Sequence, residues 1–186
     1  MDCDFLIVGA GMAGASAGYE LASRGRVILL ERESQPGYHS TGRSAAMYIE
    51  SYGNAPVRAI TSAGRAFFEK PPAGFATAPL LSPRGVLLLA RKDQLAKLEH
   101  EYAELSRESP NFRRLTKREA LAFFPLVNPD YVEAGLLDPD AMDMDVHTIH
   151  QGFLKGLAAR GGRGGCSAEG IAAERQGGRR QVTTPA

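Results

Sequence analysis

Phe5-Leu6-Ile7-Val8-Gly9-Ala10-Gly11-Met12-Ala13-Gly14 is the stretch from which the rest of the chain is read. Phe5 to Val8 is a short continuous apolar run ended by Gly9, which reads as a strand buried on both faces. Met12 to Ser23 is rich in alanine and leucine and closes at Gly25, the pattern of a helix with a glycine stop. Val27 to Leu30 is a second buried-strand run, and Glu31 stands at its end, twenty residues after Gly11. Strand, helix and strand in this order form the first half of a parallel α/β sheet.

The turn between the first strand and the helix is a G-x-G-x-x-G, and its context is the one the dinucleotide fingerprint requires. Gly9 permits the tight turn, Gly11 lets backbone approach a pyrophosphate, and Gly14 lets the helix pack closely on the strand. The helix N-terminus, with Met12 and Ala13 in its first turn, offers N–H groups and a partial positive charge to phosphate. Glu31 can accept hydrogen bonds from an adenosine ribose, and a carboxylate there argues against a 2′-phosphate and so against NADP. The motif does not separate FAD from NAD. The alternative is a glycine-rich turn that holds no ligand.

The chain has 186 residues, a little over one typical domain and enough to bury a core. Its 44% hydrophobic and 23% charged residues are ordinary for a soluble globular protein. Lys plus Arg is 22 and Asp plus Glu is 21, a net charge of +1 that gives no reason to expect nucleic acid or an anionic membrane. Cys3 and Cys166 cannot build a disulfide framework, and no Cys/His spacing resembles a zinc site. No segment reaches the roughly 18 apolar residues of a membrane span. Asp2 and Asp4 stand where a signal peptide needs positive charge.

Beyond Glu31 the pattern changes. Val57, Ile60, Thr61, Gly64, Phe67 and Phe68 share a helical face that Pro71-Pro72 ends. Leu80-Leu81 and Val86 to Leu89 read as strand material around a Ser82-Pro83-Arg84-Gly85 turn. Leu95, Leu98, Tyr102 and Leu105 have helical spacing, and Thr116 with Glu119 makes a capping box. Asp145 reads as the N-cap of a helix with Val146, Ile149, Phe153, Leu154 and Leu157 inward. From Arg160 to Arg180 there are five Arg, two Glu and seven Gly, with weak strands expected near Gly170 to Ala173 and near Val182. Only two strands of a parallel sheet are clear, too few for a stable open sheet, so the chain reads as the front part of a longer protein.

After Glu31-Arg32 comes a loop of small and hydroxyl residues, His39-Ser40-Thr41-Gly42-Arg43-Ser44-Ala45-Ala46. Gly42, Ala45 and Ala46 leave room for a cofactor, while Thr41, Ser44 and backbone N–H groups can bond it. With the Gly9–Gly14 turn, this loop resembles the FAD-dependent amine oxidoreductases of the D-amino acid oxidase type. Within them the similarity is to the D-arginine dehydrogenase-like branch of the bacterial D-amino acid dehydrogenases. It continues through Arg65-Ala66-Phe67-Phe68, Pro71 to Phe75, Leu80 to Arg84, and His150 to Leu154.

The resemblance implies an FAD-binding Rossmann-like parallel sheet with the beginning of an α+β substrate domain. Residues 1–48 and 146–186 would belong to the FAD-binding domain, and 49–145 would start the substrate domain. FAD, held noncovalently, would lie over Gly9, Gly11, Met12, Ala13 and Gly14, with its ribose on Glu31-Arg32. Ser40, Thr41, Gly42, Arg43, Ser44, Ala45 and Ala46 would line its pyrophosphate and ring side. The implied activity is hydride removal from the α-carbon of a D-amino acid or related amine, giving an imino acid that hydrolyses to a 2-oxo acid and ammonia. Tyr52 could cover the substrate, with a plain surface or core tyrosine as the alternative.

Three departures from the resemblance bear on substrate. Met47 stands where members that favour D-arginine carry a histidine. Val86 stands where they place a glutamate toward a cationic substrate, so an apolar or mid-sized substrate fits better. The family also continues for about as long again, and that portion holds the arginine and tyrosine that grip the substrate carboxylate. Gly164-Gly165 occupy positions where a strand would carry apolar residues.

His147 and His150 are three apart and read as capping or packing residues rather than metal ligands. Asp138, Asp140, Asp143 and Asp145 lack the glycine and closing glutamate of a calcium loop. No metal is expected, and no nucleic-acid partner. The compartment reads as cytoplasmic, or peripheral at the inner membrane if a quinone takes the electrons. Two other functions stay open: an NAD-dependent dehydrogenase, and a catalytically inactive nucleotide-binding remnant.

Overall fold

Phe5–Val8 and Val27–Leu30 lie side by side in parallel, in the register Phe5 to Val27 through Val8 to Leu30. The computed structural model describes residues 1–184, so Pro185 and Ala186 at the end of the expected 146–186 stretch lie outside the described residues. In chain order the strands and α-helices are β1 (Phe5–Val8), α1 (Met12–Leu21), β2 (Val27–Leu30), β3 (Met47–Tyr48), α2 (Ala55–Glu69), β4 (Leu81–Pro83), β5 (Val86–Ala90), α3 (Leu95–Leu105), β6 (Arg113–Thr116), α4 (Lys117–Phe123), β7 (Ala134–Asp138), β8 (Met142–Met144), α5 (Val146–Ala159), β9 (Arg163–Gly165), β10 (Ala172–Gln176) and β11 (Arg179–Thr183). They divide into two compact units.

The first unit comprises Met1–Ala46, Lys70–Leu80 and the chain from Asp145 onward. Its parallel sheet has the order β1-β2-β9. Val27, Leu29, Ala10 and Leu157 form its buried core, with Phe5, Ile7, Leu21 and Leu154 packed against them. Burying side chains such as Val27 and Leu29 contributes about 1.5–3 kcal/mol each. The inward face is therefore the Phe5/Ile7 face, with α1 and α5 against it.

β1 is not buried on both faces as its sequence suggests. Leu6 is 37% and Val8 68% exposed, because β1 is an edge strand and the helices cover the opposite face of its sheet. The third strand, β9, contains Gly164 and Gly165, the residues whose lack of side chains argued against a strand. They pair through backbone alone, Gly164 with Leu29 and Gly165 with Leu30. Gly25 does not end α1 by a left-handed turn either, since its φ is not positive. A Cβ there would stand 2.9 Å from Asp4 Oδ2, so the glycine allows Asp4 to reach the entry to β2. The Asp4 carboxylate accepts the Arg26 backbone N–H at 2.8 Å.

α5 starts as expected. The Asp145 carboxylate accepts the Thr148 N–H at 2.8 Å and its hydroxyl at 2.7 Å. Hydrogen bonding from the Thr148 backbone is the main cause that holds the Asp145 pKa below the usual carboxylate value. Lys70–Leu80 sits with this unit through Phe75, whose ring meets Phe153 edge-on at 5.0 Å and Tyr19 at 5.8 Å. The glycine-rich tail folds into an antiparallel hairpin, β10 with β11, turned by Gly177 and Gly178 at φ +54° and +86°.

The second unit comprises Met47–Glu69 and Leu81–Met144. β7 is the centre of an antiparallel sheet of order β5-β7-β6, and all five of its residues are buried. Leu136 joins Ala90, Leu98, Leu105 and Phe112 in one core cluster, while Leu137 joins Leu115, Ala120 and Val132 in another. The alternation follows from strand geometry: neighbouring side chains point to opposite faces, one met by α3 and the other by α4. The Thr116–Glu119 capping box of α4 is formed in both directions. Ser82 and Pro83 of the expected turn belong to β4, leaving Arg84 and Gly85 as the link to β5, and the two strands enter different sheets, β4 pairing with β8 and β5 with β7.

The expected apolar face of α2 is turned inward only over its second half: Thr61, Gly64, Phe67 and Phe68 are half-buried, and the Phe68 ring meets Tyr48 at 5.8 Å. Ile60 is 75% exposed and Val57 is exposed too, whereas Arg58 is buried. Arg58 is held inward by Glu108 at 2.7 and 3.0 Å, by Glu104 at 2.8 Å and by the Gly53 carbonyl at 2.7 Å. Those carboxylates, Glu108 first, raise its pKa further. Among the described residues no helix is long and apolar enough to cross a membrane.

Candidate functional site

The turn after β1 begins with the Gly9 N–H donating to the Leu30 carbonyl at 2.7 Å, which ties it to the end of β2. Gly9 has φ +96°, a conformation that L side chains rarely adopt. Gly11 is the N-cap of α1 and offers no side chain to the first turn. A Cβ on Gly14 would lie 1.8 Å from the Gly9 carbonyl oxygen, so only glycine allows the helix to start this close to the strand. The first intrahelical bond runs from Ala15 N–H to Gly11 O, and the N–H groups of Ala13 and Gly14 precede it in the first turn.

Three other segments of the first unit converge on this turn. Glu31 Oε2 accepts the Ala10 N–H at 2.8 Å, and Oε1 accepts the Glu33 N–H at 3.1 Å. The Thr41 hydroxyl accepts the Met12 N–H at 3.0 Å. From α5, His150 Nε2 lies 2.8 Å from the Ala10 carbonyl oxygen.

The residues singled out in the sequence therefore separate into two groups. Gly9, Gly11, Met12, Ala13, Gly14, Glu31 and Thr41 come together at one place. Gly42 lies in a short 3-10 turn, Thr41–Arg43, where its N–H donates to the Gly37 carbonyl at 2.7 Å. Arg32 instead turns to Glu33 at 3.1 Å, and Arg43 lies over the Tyr38 ring at 5.1 Å. Ser40, Ser44 and Ala45 are exposed, and Ala46 is half-buried. His39 joins the same carboxylate as Arg32, with Nε2 2.8 Å from Glu33 Oε1. The His39 hydrogen bond is the main cause that holds the Glu33 pKa below its usual value.

Tyr52 belongs to the second unit and is 71% exposed. It shares with Val86 the lining of an open hollow of about 520 Å³, together with Ile49, Leu88 and Leu136. Met47 pairs through its backbone with Asp143.

His150 is the site-facing residue that sequence reasoning missed. It and His147 were expected to act alike, yet His147 is exposed and His150 is 3% exposed. The available signal was its neighbourhood: a polar ring between Ile149 and Phe153 on an inward helical face needs a buried partner.

A family model described as DAO, FAD dependent oxidoreductase, matches residues 4–186. The chain belongs to this family of FAD-dependent oxidoreductases. Its fold is also that of solved family structures. Glycine oxidase from Geobacillus kaustophilus superposes with a TM-score of 0.83 at 21% identity, over 98% of this chain and 51% of that one. L-alpha-glycerophosphate oxidase from Mycoplasma pneumoniae, with FAD bound, gives 0.81 at 21% identity over 99% and 50%. L-proline dehydrogenase from P. horikoshii gives 0.76 at 20% identity over 96% and 48%. The chain thus spans about half the length of the structures it matches. The cofactor of the family is FAD. The residues present suit its adenosine diphosphate portion: an open N-cap glycine, helix N–H groups beyond it and one carboxylate at the end of β2.

Proposed function

We propose that this chain forms the FAD-binding portion of an oxidoreductase acting on the α-carbon of D-amino acids or related amines. The observation that carries the reading is the convergence of Glu31, Thr41 and the Gly9–Gly14 turn in a chain that matches the family from residue 4 to residue 186.

In this reading FAD binds noncovalently through its adenosine diphosphate. Gly11 admits the pyrophosphate, and the N–H groups of Ala13 and Gly14 meet its charge. Glu31 keeps lone pairs beyond those used by Ala10 and Glu33, which suit the ribose hydroxyls. Thr41 holds the Ser40–Ala46 loop on the first residue of α1, and in this reading Gly42, Ser44, Ala45 and Ala46 would lie beside the cofactor. When bound, the flavin supplies the acceptor for a hydride; the imino acid left behind hydrolyses to a 2-oxo acid and ammonia.

The substrate reading rests on Met47, Val86 and Tyr52. With valine rather than a carboxylate at position 86, apolar or mid-sized side chains are favoured over cationic ones at that position, while Glu101, Glu104 and Lys97 line the same hollow beside Ile49 and Leu88.

The test is titration of FAD into the chain, followed by flavin fluorescence, with Gly11→Val alongside. Saturable binding that Gly11→Val abolishes supports the reading. Equal affinity in the two proteins overturns the assignment of the turn. Because the groups that grip the substrate carboxylate are implied for the length not spanned here, the chain alone is expected to reduce no dye with any D-amino acid. Substrate-dependent dye reduction by these 186 residues contradicts that division of labour.

A further inference from the structure

Ala10 is gripped from two sides. Its N–H donates to Glu31 Oε2 at 2.8 Å, and its carbonyl oxygen lies 2.8 Å from His150 Nε2. A carbonyl only accepts, so the Nε2 of this neutral-or-charged ring carries a proton and donates it. The other side of the imidazole packs on the second loop: Cε1 and Nδ1 stand 2.9 and 3.2 Å from where a Cβ on Gly37 would be. One buried ring on α5 thus touches both the phosphate-binding turn and the start of the loop that carries Thr41.

The consequence follows from peptide geometry. The described residues hold no cis peptide, so the bond joining Ala10 to Gly11 is trans, and its N–H points opposite to its C=O. Fixing the Ala10 oxygen toward His150 directs the Gly11 N–H away from α5. Gly11 is also the position where a missing Cβ permits close approach of a ligand. Without the Nε2–H donor, the Ala10 carbonyl loses that partner, and the Ala10–Gly11 peptide plane is held only through its neighbours, by Glu31 on the Ala10 N–H and Thr41 on the Met12 N–H.

We infer that His150 is a positioning residue of the nucleotide site: through the Ala10 carbonyl it sets the Ala10–Gly11 peptide plane and so the direction of the Gly11 N–H presented to a pyrophosphate. The inference rests on the proposed reading of the turn as an FAD site. The ligand class it concerns is the adenosine diphosphate moiety, independent of the flavin ring.

The test uses ADP and FAD titrated separately into the chain and three variants. His150→Phe keeps a ring and lacks the donor. His150→Gln keeps an N–H donor at about the reach of Nε2. His150→Asn carries the same amide one methylene short. Loss of one net hydrogen bond to the turn weakens binding by up to about ten-fold. His150→Phe and His150→Asn should weaken ADP and FAD by the same factor near that size, while His150→Gln should stay within about two-fold of the parent. Thermal melting of each ligand-free protein reads the packing role separately. If His150→Phe does not fold, the Gln and Asn pair decides.

Parent-like affinity in the Asn variant, or a Gln variant as weak as Asn, overturns the inference. So does a loss confined to FAD, because His150 would then act elsewhere than through the turn. A parent chain that binds neither ADP nor FAD overturns the FAD-site reading itself and the inference with it, which distinguishes the two failures.

Discussion

A Cβ on Gly14 would meet the Gly9 carbonyl oxygen at 1.8 Å, backbone against backbone, with no flexible group to yield. On Gly11 the same atom would meet only the Thr41 hydroxyl, at 3.2 Å, and the φ of Gly11 is an ordinary −75°. The two glycines therefore differ: the fold requires the one at 14, whereas the one at 11 is, in the proposed reading, kept open for the ligand. Gly14→Ala should lower stability by about 3 kcal/mol or prevent folding, as overpacking at a rigid contact does. Gly11→Ala should fold within about 1 kcal/mol of the parent in urea titration. It should nonetheless lose ADP affinity, seen by calorimetry. Equal stability of the two variants would contradict this assignment. That Gly9, Gly11, Gly14 and Glu31 fall at the end of β1, the start of α1 and the end of β2 was legible from spacing alone. The Thr41 contact with Met12 was not, because a loop's path across 29 residues leaves no periodic trace. Nor was His150, which meets Ala10 from 140 residues away.

At the scale of elements, the N-cap of α5 lends itself to a direct test. Asp145→Ala removes a side chain that accepts from both Thr148 groups and should cost about 1 kcal/mol, measured by thermal or urea unfolding. The Asp145 pKa is depressed, so its stabilisation is full above the unfolded carboxylate value and is lost as pH falls through the folded one. The difference between the parent and Asp145→Ala should be full at neutral pH, begin to shrink only below about pH 4, and close as pH falls past the lower folded-state value. A constant difference across that range would contradict the capping role. β9 supplies a second element-scale prediction. Nothing lies within 4 Å of a Cβ built on Gly164, and its φ is not positive. Gly164→Val should stabilise the chain by about 0.5–1 kcal/mol through strand propensity, again by urea unfolding. Destabilisation would mean that β9 does not pair as described. Capping boxes and helical periods were readable in the sequence because they are local. β9 was not, because its pairing uses backbone alone and a strand's partner fixes it more than its side chains do. The face of α2 was readable from Thr61 to Phe68 but not at its start, where Glu104 and Glu108, far along the chain, draw Arg58 inward while Val57 and Ile60 stay exposed.

At the scale of the whole molecule, the family resemblance carried by the Gly9–Gly14 turn and the Ser40–Ala46 loop extends to a model match over residues 4–186 and to a shared fold with solved oxidases and dehydrogenases. Substrate was less legible. Neighbours of the same fold are named for glycine, proline and glycerophosphate, so the fold carries several chemistries and the deciding side chains are few. In the proposed reading these 186 residues build a site that holds FAD without a covalent bond. The measurement that tests it most directly is the visible absorption spectrum of the purified chain after incubation with FAD and removal of the excess, taken before and after heat precipitation. The account predicts flavin bands that travel with the folded protein and pass wholly into the supernatant when the protein is removed. A folded chain that stays colourless, or flavin that remains with the precipitate, would contradict it.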